Sequence, residues 1–293
     1  LRTSDSSRPC LVTGANGLLG SEVLRQAAGR AALWGTWFSR EPAGQGGVST
    51  VQLDVGDSLA VRQLVQRVQP RVIIHTAYRK EGPDLQRITA HGAGHVAQAA
   101  AAVGARLVHV SSDVLLDGEQ APYDESARPG PLHPYGVAKA DAEALVQQAA
   151  PDAVVVRTSL ICRVQPLDPI SAWISDSLRH GRPITLFTDE IRSPVWVQDL
   201  AAALIELAEL PFSGVLNVAG PQPLSRYQMG QRLARALGLD PTGITAGESL
   251  GSGLCRPRNC TLDVRLAQRL LHTRLRSYDE GLADAHLALW PVS

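Results

Sequence analysis

The stretch Pro9-Cys10-Leu11-Val12-Thr13-Gly14-Ala15-Asn16-Gly17-Leu18-Leu19-Gly20 decides the fold. A short apolar run from Pro9 to Thr13 ends in a glycine turn, and Ser21 to Ala28 follows with helical periodicity until Gly29 stops it. Strand, turn and helix thus come in immediate succession. In that context each glycine has a separate purpose. Gly14 makes the turn tight, Gly17 lets the backbone approach a pyrophosphate, and Gly20 lets the helix pack close to the strand. Free amides at the helix N-terminus then hold the anion. The spacing predicts a dinucleotide site rather than a flexible turn, because the strand before it and the helix after it are both present.

Outward from this turn, strand-like and helical segments alternate. Ala32 to Phe38 and Val51 to Leu53 read as strands, and Asp57 caps a helix carrying Leu59, Val61, Leu64, Val65 and Val68 up to Pro70. Val72 to His75 and Leu107 to Ser111 read as strands separated by an alanine-rich helix from about Thr89 to Ala102. A loop rich in Gly and Pro from Gly118 to Pro134 precedes a helix over Tyr135 to Ala149, and Val154 to Leu160 is the next strand. The alternation predicts the α/β class, a doubly wound parallel Rossmann sheet covered on both faces. Beyond Leu160 the pattern loosens into helical stretches near 170–180, 198–207, 225–237, 264–271 and 278–288, with strand-like 184–187 and 215–218. We therefore expect a nucleotide-binding Rossmann domain from 1–160 and 188–220, and a smaller, interleaved C-terminal substrate domain from 161–187 and 221–293.

The 293 residues are 44% hydrophobic and 19% charged, which excludes a disordered chain. Lys and Arg total 28 and Asp and Glu total 28, so there is no net field to collect on a polyanion, and nucleic acid is not an expected partner. No apolar run approaches the roughly 18 residues of a membrane span. The opening LRTSDSSRPC lacks the apolar core of a signal peptide, and the expectation is a soluble cytoplasmic chain, with no membrane partner. Cys10, Cys162, Cys255 and Cys260 include no CxxC pair, so neither a disulfide scaffold nor a metal site is expected.

At the end of the second strand, where a carboxylate would grip ribose hydroxyls and select NAD, the chain has Phe38, Ser39 and Arg40. Arg40 and the Ser39 hydroxyl suit a ribose phosphate, which predicts NADP (as NADPH), with NAD the alternative. Asp54 follows the third strand, placed either to meet the adenine amino group or to serve as an ordinary loop or cap carboxylate. Tyr135-Gly136-Val137-Ala138-Lys139 sets a phenol and an ammonium four residues apart on one helix face. With five tyrosines and only two lysines, Lys80 and Lys139, chance supplies such a pair in about 3% of shuffled chains. A phenol of pKa about 10 needs roughly 4 kcal/mol of electrostatic help to titrate near neutrality, and an adjacent cation supplies it. Ser111 and Ser112 end the fifth strand, where a hydroxyl can orient a carbonyl.

TGANGLLG, LVHVSSDVLLDG and YGVAK, with SPVWVQDLA at 193–201 and RPRNCTLD at 256–263, resemble the extended short-chain dehydrogenase/reductase family over nearly the whole chain, and most closely its dTDP-4-dehydrorhamnose reductase type. The resemblance implies Ser112, Tyr135 and Lys139 as the catalytic set and Gly14, Gly17 and Gly20 as the cofactor loop. The expected cofactor contacts are Gly14, Asn16, Gly17, Leu18, Leu19, Ser39, Arg40, Asp54, Val55, Thr76 and Ala77, with Tyr135 and Lys139. On the substrate side stand Ser112, Asp113, Arg192 and Arg256, with Arg192, Arg256 and Arg258 placed to clamp a diphosphate unless they are solvated surface arginines, and Trp173 or Trp196 stacking on base or sugar unless they pack in the core. Several positions depart from the family pattern: Val114 and Leu116 replace aromatics, Thr89 and His133 replace asparagines, and the Glu that dehydratases place after the Asp is absent. The expected activity is reduction of a nucleoside-diphosphate 4-keto-6-deoxy sugar. The alternatives are reduction of another small carbonyl compound, or a role as an NADP-binding regulatory subunit, since the resemblance extends to the methionine adenosyltransferase beta subunit. A monomer or homodimer is expected, with a larger partner in the last case.

Overall fold

In the computed structural model, which describes residues 8–29, 32–42, 46–253 and 255–289, seven short strands form one sheet. They are β1 (Cys10–Thr13), β2 (Leu33–Trp37), β3 (Val48–Gln52), β4 (Val72–His75), β5 (Arg106–Val110), β6 (Val154–Arg157) and β7 (Gly214–Asn217). Their order is 3-2-1-4-5-6-7 and every pairing is parallel, as in a Rossmann sheet. Central strands such as Val72–His75 and Val154–Arg157 are buried at every residue, which requires cover on both faces.

Helices α1 (Leu18–Ala27) and α6 (Val197–Leu207) pack one face, with Val23, Leu24, Leu200 and Leu204 against Val12, Ile74 and Val108. Helices α2 (Ser58–Val68), α3 (Gly92–Ala102) and α4 (Pro134–Ala149) cover the other, with Leu64, Val96 and Val146 against Leu11, Ile73 and Val155. Asp57 caps α2 as the sequence predicts, accepting from the amides of Leu59 and Ala60. The alanine-rich helix starts earlier than its periodicity suggested: a turn of wider π geometry, Arg87–His91, leads into α3 and centres on Thr89. Such turns insert an extra residue and re-aim the side chains around them.

A separate apolar cluster joins α5 (Pro169–Arg179), α7 (Arg226–Ala236) and α9 (Tyr278–Leu289) through Ile174, Leu233 and Leu282. A two-stranded parallel ribbon of Ile184–Phe187 with Ile244–Gly247 accompanies them. The segment 221–293 does not all lie there. Within it, α8 (Arg265–Leu270) and the following turn place Ala267, Leu271 and Leu275 in the sheet-side core, and Cys260 and Leu262 pack with Leu115 and Tyr123. Among the described residues no helix is long and apolar enough to cross a membrane.

Candidate active site

All seven parallel strands run the same way, so the turns that follow β1 to β6 gather at one rim. Gly14 has φ +77°, and a Cβ there would stand 3.1 Å from the Ala77 backbone. A Cβ on Gly17 would lie 3.2 Å from the Gly14 carbonyl oxygen, and one on Gly20 only 2.3 Å from it. Three glycines therefore let turn, helix and the loop after β4 close on each other. No side chain caps the N-terminus of α1, so its first amides face the rim without a protein acceptor of that kind. Thr76 donates from Oγ1 to the Thr13 carbonyl at 2.6 Å, pinning the facing loop to the turn.

Asn16 donates from Nδ2 to the Arg40 carbonyl, tying the glycine turn to the loop after β2. Ser39 and Arg40 are exposed there, and Arg40 forms no ion pair among the described residues. Asp54 serves its loop: Oδ1 accepts from the Gly56 amide and Oδ2 pairs with Arg87, each at 2.8 Å. Leu19 and Val55 are buried in the two cores on either face of the sheet, whereas Leu18 is half-buried.

On α4, Tyr135 and Lys139 come to the rim where β4 and β5 end. His133 starts the helix, its Nδ1 accepting from the Gly136 amide at 3.1 Å while its ring stacks on Tyr135 with centroids 6.3 Å apart. The histidine in the family's asparagine position is thus a helix cap. Burial, then Arg256, Arg192 and Lys80, push its pKa down, so the cap is neutral near pH 7. Gly136 lets α4 approach the strand-end turn, since a Cβ there would be 2.5 Å from the Val114 carbonyl oxygen. That approach makes the Ser112–Val114 turn the neighbour of Tyr135. Burial, then Tyr78 and Asp113, hold the Tyr135 phenol well above its ordinary range. Lys139 is 3% exposed and donates to the Val110 carbonyl at 2.8 Å; burial lowers its pKa to about 8. The expected pull of Lys139 on the phenol is not among the influences on Tyr135, for the ammonium sits instead 5.3 Å over the ring of Tyr78.

Ser112 donates to Asp113 at a long 3.3 Å, so its hydroxyl is readily transferred to another acceptor. Asp113 is buried, accepts from Ser159 Oγ at 2.6 Å and lies 3.8 Å from Arg192; burial raises its pKa against those partners. The arginines expected on a diphosphate separate. Arg192 is buried and donates to the carbonyls of Ile191, Pro257 and Arg258, so it binds backbone and not substrate anion in this conformation. It thereby ties the segment 256–258 to Ile191 and Arg192. Arg256 is half exposed, touches Glu190 at 3.4 Å and borders a cavity of about 540 Å³ lined also by Arg258, Glu119, Ser249 and Cys255. Trp196 is core: it stacks on Tyr278 at 5.4 Å and donates from Nε1 to the Ser277 carbonyl at 3.0 Å. Trp173 is exposed on α5.

Three residues at the site escaped the sequence reading. Tyr78 touches both Lys139 and Tyr135, and His75 and His109 stack at 5.3 Å beneath the lysine. Nothing but their places at strand ends marks them. Among the described residues, no group of three or more His, Cys, Asp or Glu side chains is arranged to hold a metal ion.

Comparison with known proteins agrees with this architecture. The profile of the RmlD substrate-binding domain matches residues 8–289. The dTDP-4-dehydrorhamnose reductase of Mycobacterium tuberculosis is 30% identical, with 95% of this chain and 92% of that protein covered. Methionine adenosyltransferase 2 subunit beta of Mus musculus is 29% identical, with 97% and 88% covered. A crystal structure of dTDP-4-dehydrorhamnose reductase from Bacillus anthracis in complex with NADP superposes with a TM-score of 0.80 at 22% identity, covering 95% of this chain and 98% of that one.

Proposed function

Because the chain belongs to the RmlD substrate-binding domain family, we propose that it is an NADPH-dependent reductase of a nucleoside-diphosphate 4-keto-6-deoxy sugar. One observation carries this: Tyr135, Lys139 and the Ser112 turn meet at the strand ends beside a tight glycine cradle, with Arg256 and Arg258 on the adjoining cavity. The cradle suits the pyrophosphate of a dinucleotide, and exposed Arg40 suits a 2′-phosphate. When bound, NADPH supplies the hydride that reduces the carbonyl carbon. Tyr135, protonated at neutral pH, donates its phenolic proton to the carbonyl oxygen, and Ser112 gives up its long bond to Asp113 to orient that oxygen. Lys139, one helical turn along α4 from Tyr135 and a cofactor contact in this reading, carries its positive charge into the site. The direct test incubates the chain with NADPH and a dTDP-linked 4-keto-6-deoxy sugar, following NADPH oxidation and the mass of the product. NADPH oxidation only with other carbonyl compounds would reject the sugar and keep the reductase.

The likeness to the methionine adenosyltransferase subunit supports a second reading, a regulatory subunit with the same fold. Co-purification of a stoichiometric larger partner together with no turnover of any carbonyl compound would favour it.

Two further results are expected. Arg40→Ala should weaken NADPH binding about 10- to 100-fold, the value of a lost charge-assisted hydrogen bond, and leave NADH binding unchanged. Paired fluorescence titrations decide this, and an equal effect on both nucleotides would place Arg40 outside the phosphate site. The pH profile follows from Lys139. Burial penalises its ammonium, so the charged form is half lost at a pH of about 8, is present well below it and disappears above it. kcat/KM should therefore fall by about tenfold per pH unit on the alkaline side, and a flat profile to about pH 10 would remove the lysine charge from the mechanism.

A further inference from the structure

We propose that Tyr78 is a positioning residue of this site, its ring set against both the Lys139 ammonium and the Tyr135 ring. The Lys139 Nζ lies 5.3 Å from the Tyr78 centroid, and the Tyr135 centroid lies 5.7 Å from it at a tilt of 40°. The first distance lies within reach of a cation–π contact and the second within reach of an aromatic pair. Tyr78 therefore meets both members of the pair, and the inference rests on the roles given to Lys139 and Tyr135 above.

The segment that carries Tyr78 is held at both ends. Thr13 Oγ1 accepts from the amides of Thr76 and Ala77 at 3.2 and 3.3 Å. On the far side, Thr89 clamps Arg79, accepting from its amide at 2.9 Å and donating to its carbonyl at 2.7 Å. Thr89 sits at the centre of the π turn, so the irregular geometry there delivers its hydroxyl to the residue next to Tyr78. Yet Tyr78 is 54% exposed. A large aromatic side chain, fixed by its backbone but left half in solvent, serves what lies beneath it rather than the core.

The charge it faces has few other supports. Lys139 gains one backbone acceptor, Val110 O, and Glu143 one turn along α4 favours its charged form from a distance, although that carboxylate is committed to Arg157. From β4 and β5 it faces His75 and His109, which burial and Lys139 itself keep neutral; His75 is pushed down to about 3. His75 Nδ1 is bonded to Thr13 Oγ1 at 2.7 Å, while His75 Nε2 and both nitrogens of His109 meet no hydrogen-bond partner among the described residues. Neutral imidazoles give no counter-charge. The aromatic face of Tyr78 thus opposes the burial that drives Lys139 toward its neutral form.

The chain's two lysines make the test direct, because selective carbon-13 labelling at lysine Cε gives two resonances, one for Lys80 and one for Lys139. In the ligand-free protein, Tyr78→Leu keeps the bulk that excludes water but removes the aromatic face. It should lower the Lys139 titration midpoint by about half to one pH unit, and Tyr78→Phe should leave it in place. Lys80 is the internal reference. An unmoved midpoint in the leucine variant, or an equal shift in the phenylalanine variant, overturns the proposal. These outcomes are independent of any substrate, so they stand even if no keto sugar is reduced. If reduction does occur, the alkaline limb of kcat/KM should move down with the midpoint in Tyr78→Leu and not in Tyr78→Phe.

Discussion

Tyr135→Phe is expected to lower turnover by about 100-fold or more, the usual contribution of a positioned general acid, while NADPH binding and the unfolding midpoint stay near those of the unchanged protein. The argument is local. The hydroxyl is the only group removed, and the ring keeps its packing on Tyr78 and His133. Burial holds the phenol protonated, so at neutral pH it acts as donor and not as base. Direct comparison of single-turnover rates with NADPH titrations separates the chemical step from binding. Full activity in the variant would transfer proton donation to another group, and the regulatory reading would gain if neither protein turned over.

How much of this was legible in the sequence depends on what each residue does. Gly14, Gly17 and Gly20 leave a trace because a Cβ would collide at Gly20, 2.3 Å from the Gly14 carbonyl oxygen, would be strained at Gly14 with its φ of +77°, and would be tight at Gly17, 3.2 Å from that oxygen. Tyr135 and Lys139 are visible because helical geometry places them on one face and lysine is rare in this chain. The strands of the sheet are legible as short apolar runs between turns. Tyr78 is invisible by the same standards. Its importance lies in which ring it approaches, and that is set by Thr13 and Thr89, far apart in sequence and joined only by folding.

Arginines are the other blind spot. Arg192 and Arg256 look alike in the sequence, both near the C-terminal motifs, but one is enclosed by three carbonyls and the other borders a cavity. Composition carries no information on which acceptors surround a guanidinium. The same holds for α8, whose periodicity gives a helix but not the core it joins; Ala267 and Leu271 reach the sheet because β7 lies beside them. Trp196 likewise fills the second core against Tyr278, a partner 82 positions later in the chain (278 − 196).

Glu143→Ala is expected to cost about 3–5 kcal/mol of unfolding free energy, because it leaves a guanidinium buried without its counter-charge. Glu143 on α4 and Arg157 at the end of β6 have side chains only 5% and 4% exposed, and they meet through both carboxylate oxygens at 2.8 to 3.3 Å. Arg157 also donates from Nη1 to the Ala127 carbonyl at 2.7 Å, which ties the loop ahead of α4 to the sheet. Denaturant midpoints measure the loss. The double variant Glu143→Leu with Arg157→Met should recover most of it, since apolar replacements of similar size remove both desolvation costs together. Recovery of stability need not restore turnover. The bond to Ala127 is absent in the double variant, so the loop that leads to His133 and Tyr135 loses its anchor, and kcat should stay below that of the unchanged protein while the midpoint returns. A single variant as stable as the parent would mean that water reaches Arg157, and the pair would then be a surface contact in all but position.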